Sequence, residues 1–145
     1  MAGGTRDGSV LLWDLSRARK QYDIQSDVSL SAGAWVTTVA YAPDGKLAAG
    51  LNDGRVLVWA REPSQDAAPL WESEATRSAV RALSFSRDGR SLWSGDERGV
   101  LVARDAESGA MQSTLRLLPP REAGAALDWV RWDRAGQVTR APDKP

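Results

Sequence analysis

The chain has no cysteine and no histidine. These absences exclude disulfides, thiolate nucleophiles, the usual zinc ligand sets and every histidine-based catalytic triad. It also lacks an excess of either charge, with 19 Lys and Arg against 19 Asp and Glu. Nothing in that balance asks for nucleic acid or a membrane surface as partner. No stretch approaches the roughly 18 apolar residues of a membrane-spanning helix. The opening Met1-Ala2-Gly3-Gly4-Thr5-Arg6-Asp7 is polar where a signal peptide needs an apolar core. A soluble, cytoplasmic chain with no cofactor and no bound metal is the expectation.

Phe and Tyr are scarce as well, at one and two, against seven Trp. So lopsided a use of one aromatic suggests a single structural position occupied repeatedly, and a period follows. Gly4-Thr5-Arg6-Asp7-Gly8-Ser9-Val10-Leu11-Leu12-Trp13-Asp14 lies over Gly50 to Ala60, and both lie over Gly95 to Asp105. A second pattern, Val36-Thr37-Thr38-Val39-Ala40-Tyr41-Ala42-Pro43-Asp44-Gly45, matches Val80 to Gly89 and, more loosely, Leu127 to Gly136. Two unrelated patterns share one spacing of about 45 residues, the length of a propeller blade.

Each repeat reads as short strands. Val36 to Ala42 is rich in β-branched and aromatic residues, and Asp44-Gly45 then closes a tight turn. Leu47 to Gly50 and Ser91 to Gly95 give a second strand. Ser9 to Trp13 and Arg55 to Trp59 give a third, apolar enough to be buried on both faces. Leu70 to Ser73 and Met111 to Leu117 form a looser fourth. With 42% hydrophobic and 26% charged residues, 145 residues make one globular domain. Its repeats run over about 3–48, 49–94 and 95–141, with a tail at 142–145.

In these motifs the chain resembles the WD-repeat family. Trp13-Asp14 matches the signature dipeptide, while Trp59-Ala60 and Arg104-Asp105 look like decayed copies. The resemblance implies an all-β fold, with β-propeller blades of four antiparallel strands. It also implies a Gly-His pair before each opening strand, its His bonded to an Asp in the next turn. Here Ala32, Thr76 and Ala123 stand at those His positions. Asp7 and Asp53 keep the Asp, and Arg98 replaces the third. Apolar packing between blades is therefore expected to carry the stability.

By this phasing the chain holds three repeat lengths and divides one blade between its two ends. Propellers usually need four to eight blades. Two expectations stand side by side: a fragment of a larger signalling protein, or a subunit that closes its split blade as a homo-oligomer.

Asp7, Asp44, Asp53 and Asp88 are the carboxylates that stand out by position. Each lies beside a turn Gly, where Asp bonds its own backbone, and that reading is preferred to catalysis. Trp13 and Trp59 read as core. Trp35, Trp93, Arg77 and Arg81 are the candidate binding residues, because Trp and Arg are enriched at interaction hot spots. The function expected from the resemblance is a non-catalytic scaffold or sensor module for a protein partner. The alternative is a propeller-type hydrolase or lyase with carboxylates in its channel.

Overall fold

The computed structural model describes residues 1–14, 28–118 and 128–140. These residues form strands and turns, with no helix among them. Ala2–Gly4 (β1), Ser9–Leu12 (β2) and Val28–Ser31 (β3) make a three-stranded sheet. Val36–Tyr41 (β4), Leu47–Leu51 (β5), Val56–Trp59 (β6) and Trp71–Glu72 (β7) make a four-stranded one. Val80–Phe85 (β8), Ser91–Asp96 (β9), Val100–Asp105 (β10), Met111–Leu118 (β11), Asp128–Asp133 (β12) and Val138–Arg140 (β13) form a six-stranded third sheet. All pairings are antiparallel.

The turns follow from their Asp-Gly pairs. Gly45 and Gly54 have φ of 93° and 91°, a region that costs an L side chain energy. The preceding Asp44 and Asp53 accept the backbone N–H two residues on, at 3.2 and 3.1 Å. That local bond holds each hairpin closed.

The three sheets stack in chain order. Along β6 the side chains alternate between two cores, as the period of a strand requires. Leu57 and Trp59 pack with Val10, Leu30, Val36 and Leu47 towards the first sheet. Val56 and Val58 pack with Ala48, Val80 and Leu92 towards the third. Two glycines let the opening strands come close. A Cβ on Gly4 would lie 2.3 Å from Val36 Cγ1, and one on Gly50 would lie 2.5 Å from Val80 Cγ1. The Thr37 hydroxyl reaches the carbonyls of Gly50 at 2.8 Å and Val80 at 2.5 Å, joining β4, β5 and β8.

The sequence reading departs from the structure in three places. Only the second sheet has the four strands expected of each blade. The first includes β3, which no motif announced. The segment marked as the opening of a further blade instead extends the third sheet, with Leu117 opposite Trp129 and Thr114 opposite Trp132. The reason is the edge on offer: β11 is eight residues long and β7 only two. A long open edge recruits a strand. Finally, the missing His network has a substitute. Arg55 Nε and Nη1 bind Asp53 at 2.8 Å and Glu72 at 2.6 Å, and Nη2 lies 3.5 Å from the Ala32 carbonyl. An arginine thus ties the turn, β7 and the loop before β4 together. Ala123, Leu127, the 119–122 segment and the 141–145 tail lie outside the described residues.

Candidate functional site

At one end of the stack, loops from all three sheets are laced by main-chain hydrogen bonds. Ala32 N–H donates to Gly8, Val36 to Thr5, Asn52 to Trp35, Arg77 to Asp53 and Glu97 to Ala79, all within 2.8–3.1 Å. The result is a continuous rim of turns β1–β2, β5–β6 and β9–β10 and loops β3–β4 and β7–β8. Backbone bonds of this kind fix side chains without spending them.

Trp35 stands on this rim, 41% exposed. The Arg6 guanidinium lies 4.8 Å from its ring centroid, within cation–π range. Arg77 is exposed on the next loop, with φ of 58°. The equivalent place in the loop before β4 is Gly33, at φ of 72°. An arginine is therefore held where the repeat elsewhere uses glycine, at a cost in backbone strain. Arg77→Gly is expected to raise stability by roughly 0.5–1 kcal/mol, because the left-handed cost to a side chain exceeds the entropy glycine adds. Thermal melting checks this; a lowered midpoint would mean that the Arg77 side chain itself holds the loop.

Of the other two candidates, Arg81 is tied to this rim and Trp93 lies apart. Arg81 Nη2 is bound to Glu97 Oε2 at 2.8 Å, which binds it to the β9–β10 turn. Trp93, 40% exposed, stands mid-strand opposite Ser84 and Ala103. Its neighbours Leu92 and Ser94 are buried, so Trp93 faces away from the second sheet, on the open face of the third. The structure brings Trp35 and Arg77 onto one rim and leaves Trp93 off it. The sequence reading missed Arg6, whose only signal was its turn position one repeat before Asn52.

Of the remaining tryptophans, Trp59 is fully buried and Trp71 joins two blades. Trp71 Nε1 donates to the Ala106 carbonyl at 3.0 Å, and its ring lies against Gly109.

The four marked carboxylates are engaged by their own turns. Asp7 accepts from the Thr5 hydroxyl and from Ser9 N–H at 3.3 Å. Asp44 binds Lys46 Nζ at 2.5 Å, Asp53 binds Arg55, and Asp88 takes the Ser86 hydroxyl at 2.6 Å. They do not converge, and among the described residues no three His, Cys, Asp or Glu side chains are placed to hold a metal. Hydrogen bonds depress the pKa values of three of them, Thr5 for Asp7, Lys46 for Asp44 and Ser86 for Asp88, and Arg81 does the same for Glu97. A carboxylate depressed in the fold contributes stability above its unfolded pKa and loses it as pH falls through the folded value. The melting temperature is accordingly expected to hold from neutrality to about pH 5 and to fall below about pH 4, the ordinary carboxylate range. A chain more stable at pH 3 than at pH 7 would contradict these pairings.

A cleft of about 880 Å³ opens at the other end of the first two sheets, lined by Trp13, Tyr41, Pro43, Arg61 and Pro63 among others. Burial raises the Tyr41 hydroxyl's pKa. Nothing in the lining marks a single ligand class.

Known proteins share this arrangement. Residues 27–60 match the family described as WD domain, G-beta repeat. The crystal structure of Chaetomium thermophilum Sqt1 superposes with a TM-score of 0.64 at 21% identity, covering 96% of this chain and 45% of that one. The chain belongs to the WD-repeat β-propeller family. Among WD-repeat relatives, the small ribosomal subunit protein RACK1y of Oryza sativa subsp. japonica is 30% identical over 106 residues, 69% of this chain. The small ribosomal subunit protein RACK1 of Medicago sativa is 25% identical over 115 residues. The chain spans 29% and 34% of the length of these two proteins. In WD-repeat terms the second sheet is one complete blade, and no helix among the described residues is long and apolar enough to cross a membrane.

Proposed function

We propose that the chain is a non-catalytic interaction module whose rim binds a protein partner in the cytoplasm. The single observation that carries this reading is Trp35, held exposed beneath Arg6 on a hydrogen-bonded rim, with Arg77 retained in a strained conformation one loop away. Rigid aromatic and arginine anchors are the residues that dominate binding energy at protein surfaces. The two relatives named small ribosomal subunit proteins belong to a large assembly, and a role in bringing macromolecules together is consistent with theirs. We take the three sheets as one functional domain.

Affinity capture with the immobilised chain, read by quantitative mass spectrometry, tests the reading. A partner enriched by the parent is expected to fall at least tenfold with the double variant Trp35→Ala, Arg77→Ala. It should persist with Met111→Ser, an exposed position at the other end of the stack. Equal capture by all three proteins would place the binding surface elsewhere; turnover of a small substrate by the parent would replace the module with an enzyme.

A further inference from the structure

Two joints hold the three sheets together, and they are filled differently. Between the first and second sheets lie Leu57 and Trp59, both buried. Val102 and Arg104 occupy the same repeat positions between the second and the third. Trp59 Nε1 donates to the Ala67 carbonyl at 3.0 Å, and Arg104 Nη1 donates to the Gly109 carbonyl at 3.2 Å. The arginine thus takes the place and the anchoring bond of the repeat tryptophan, but not its bulk. Beside it lies a cavity of about 60 Å³, lined by Ser73, Thr76, Ser94, Asp96, Val102 and Arg104 among others.

The Arg104 guanidinium is poorly matched by its surroundings. Its Nε is buried and has no hydrogen-bond partner. Among the described residues no carboxylate pairs with it, whereas Arg55 holds both Asp53 and Glu72. Burial lowers its pKa from the usual arginine range, and the more distant Glu74 works the other way. A buried cation left uncompensated costs stability, and an anion at its side removes that cost. The hydroxyls of the lining can turn towards such an anion. Those of Ser73, Thr76 and Ser94 donate to backbone carbonyls at 3.4, 3.3 and 3.5 Å, bonds long enough to give up. Asp96, the carboxylate of the lining, is held by its own turn, accepting the N–H groups of Arg98 and Val100 at 3.0 and 2.8 Å. It follows Leu92, the strand partner of Arg104, by about 13 Å along β9.

A water molecule takes about 30 Å³ of liquid volume, so the cavity has room for one small anion and little more. We propose that the joint between the second and third sheets binds a small monovalent anion of chloride size, held by Arg104 Nε and the hydroxyls of Ser94 and Ser73. A guanidinium N–H and hydroxyls are the charge-assisted donors that such an ion takes, and the cavity is too small for larger anions. The ion neutralises Arg104 and fills space that a tryptophan would otherwise take. Chloride is thus a structural ligand of this joint. Thr76 is exposed, so one end of the cavity adjoins solvent and the ion exchanges. The site is independent of the rim's partner.

The test melts the full chain in sodium chloride and in sodium gluconate at one ionic strength, since gluconate is too large for the cavity. The parent is expected to melt about 3 °C higher in chloride, the shift that linkage gives a chain of this size when such a site fills. Arg104→Gln is expected to lose that difference. Excess broadening of the chloride magnetic resonance line is the second readout, present with the parent and lost with Arg104→Gln. A parent indifferent to chloride in either measurement holds water only, and overturns the proposal. An equal chloride effect in Arg104→Gln overturns it as well, because general screening then accounts for the shift. Should Arg104→Gln not fold, Ser94→Ala decides in its place. Chloride binding roughly threefold weaker is then expected, and unchanged binding contradicts the site.

Discussion

Replacing Trp59 by alanine is expected to cost about 3–5 kcal/mol, the range for emptying a large buried aromatic. Trp59 is fully excluded from solvent at the end of β6, opposite Leu47 and packed with Val10 and Leu30 of the first sheet. Its Nε1 donates to the Ala67 carbonyl at 3.0 Å, so truncation also removes the donor that holds the β6–β7 loop. Both sheets that meet at Trp59 lose packing at once, and the close Gly4–Val36 approach limits how far they can move together to fill the space. Denaturant unfolding at constant slope measures the loss. A variant that unfolds with the parent would put Trp59 at the surface and reverse the facing of β6.

Gly50→Ala is expected to be nearly as damaging, although it adds one methyl group. The new Cβ would lie 2.5 Å from Val80 Cγ1, 2.8 Å from Val80 Cβ and 2.9 Å from Thr38 Cγ2. No rotamer of Val80 relieves a contact to its own Cβ, so β5 and β8 must separate. That separation also stretches the Thr37 bridge to Val80. Overpacking of this kind costs about 3 kcal/mol, the upper end of its usual range. The informative comparison is Gly95→Ala, at the same repeat position with no strand across from it among the described residues. Its loss is expected to be small in the isolated chain, and similar losses at both glycines would mean that neither is a socket.

Much of this architecture is legible in the sequence. The turn glycines, the apolar run Val56–Trp59 and the opening strands β4 and β8 all carry local signals, because hairpin geometry and two-sided burial restrict residue type at each position. The role of Gly50 was not legible, since a glycine in a strand signals close approach without naming what approaches. The pairing of β12 with β11 was hidden for a different reason. Sequence pattern reports which face of a strand is apolar, whereas an edge partner is chosen by edge length and availability. The Arg55 network was likewise invisible: an arginine two residues after an aspartate is unremarkable until β7 brings Glu72 beside it. For the site, residue type alone pointed to Trp35, Arg77, Arg81 and Trp93. Only the loop ladder, which Arg81 joins through Glu97, separates these arginines and Trp35 from Trp93, which lies on a sheet face.

The claim on which the rest depends is that successive sheets stack as propeller blades through glycine sockets. The most direct measurement is the nuclear Overhauser contact between valine methyls and glycine α-protons in labelled protein. Strong cross-peaks from Val36 to Gly4 and from Val80 to Gly50 are expected, given how closely each valine lies against its glycine. A well-dispersed, folded spectrum lacking both cross-peaks would contradict the blade stacking, and with it the rim that the stacking assembles.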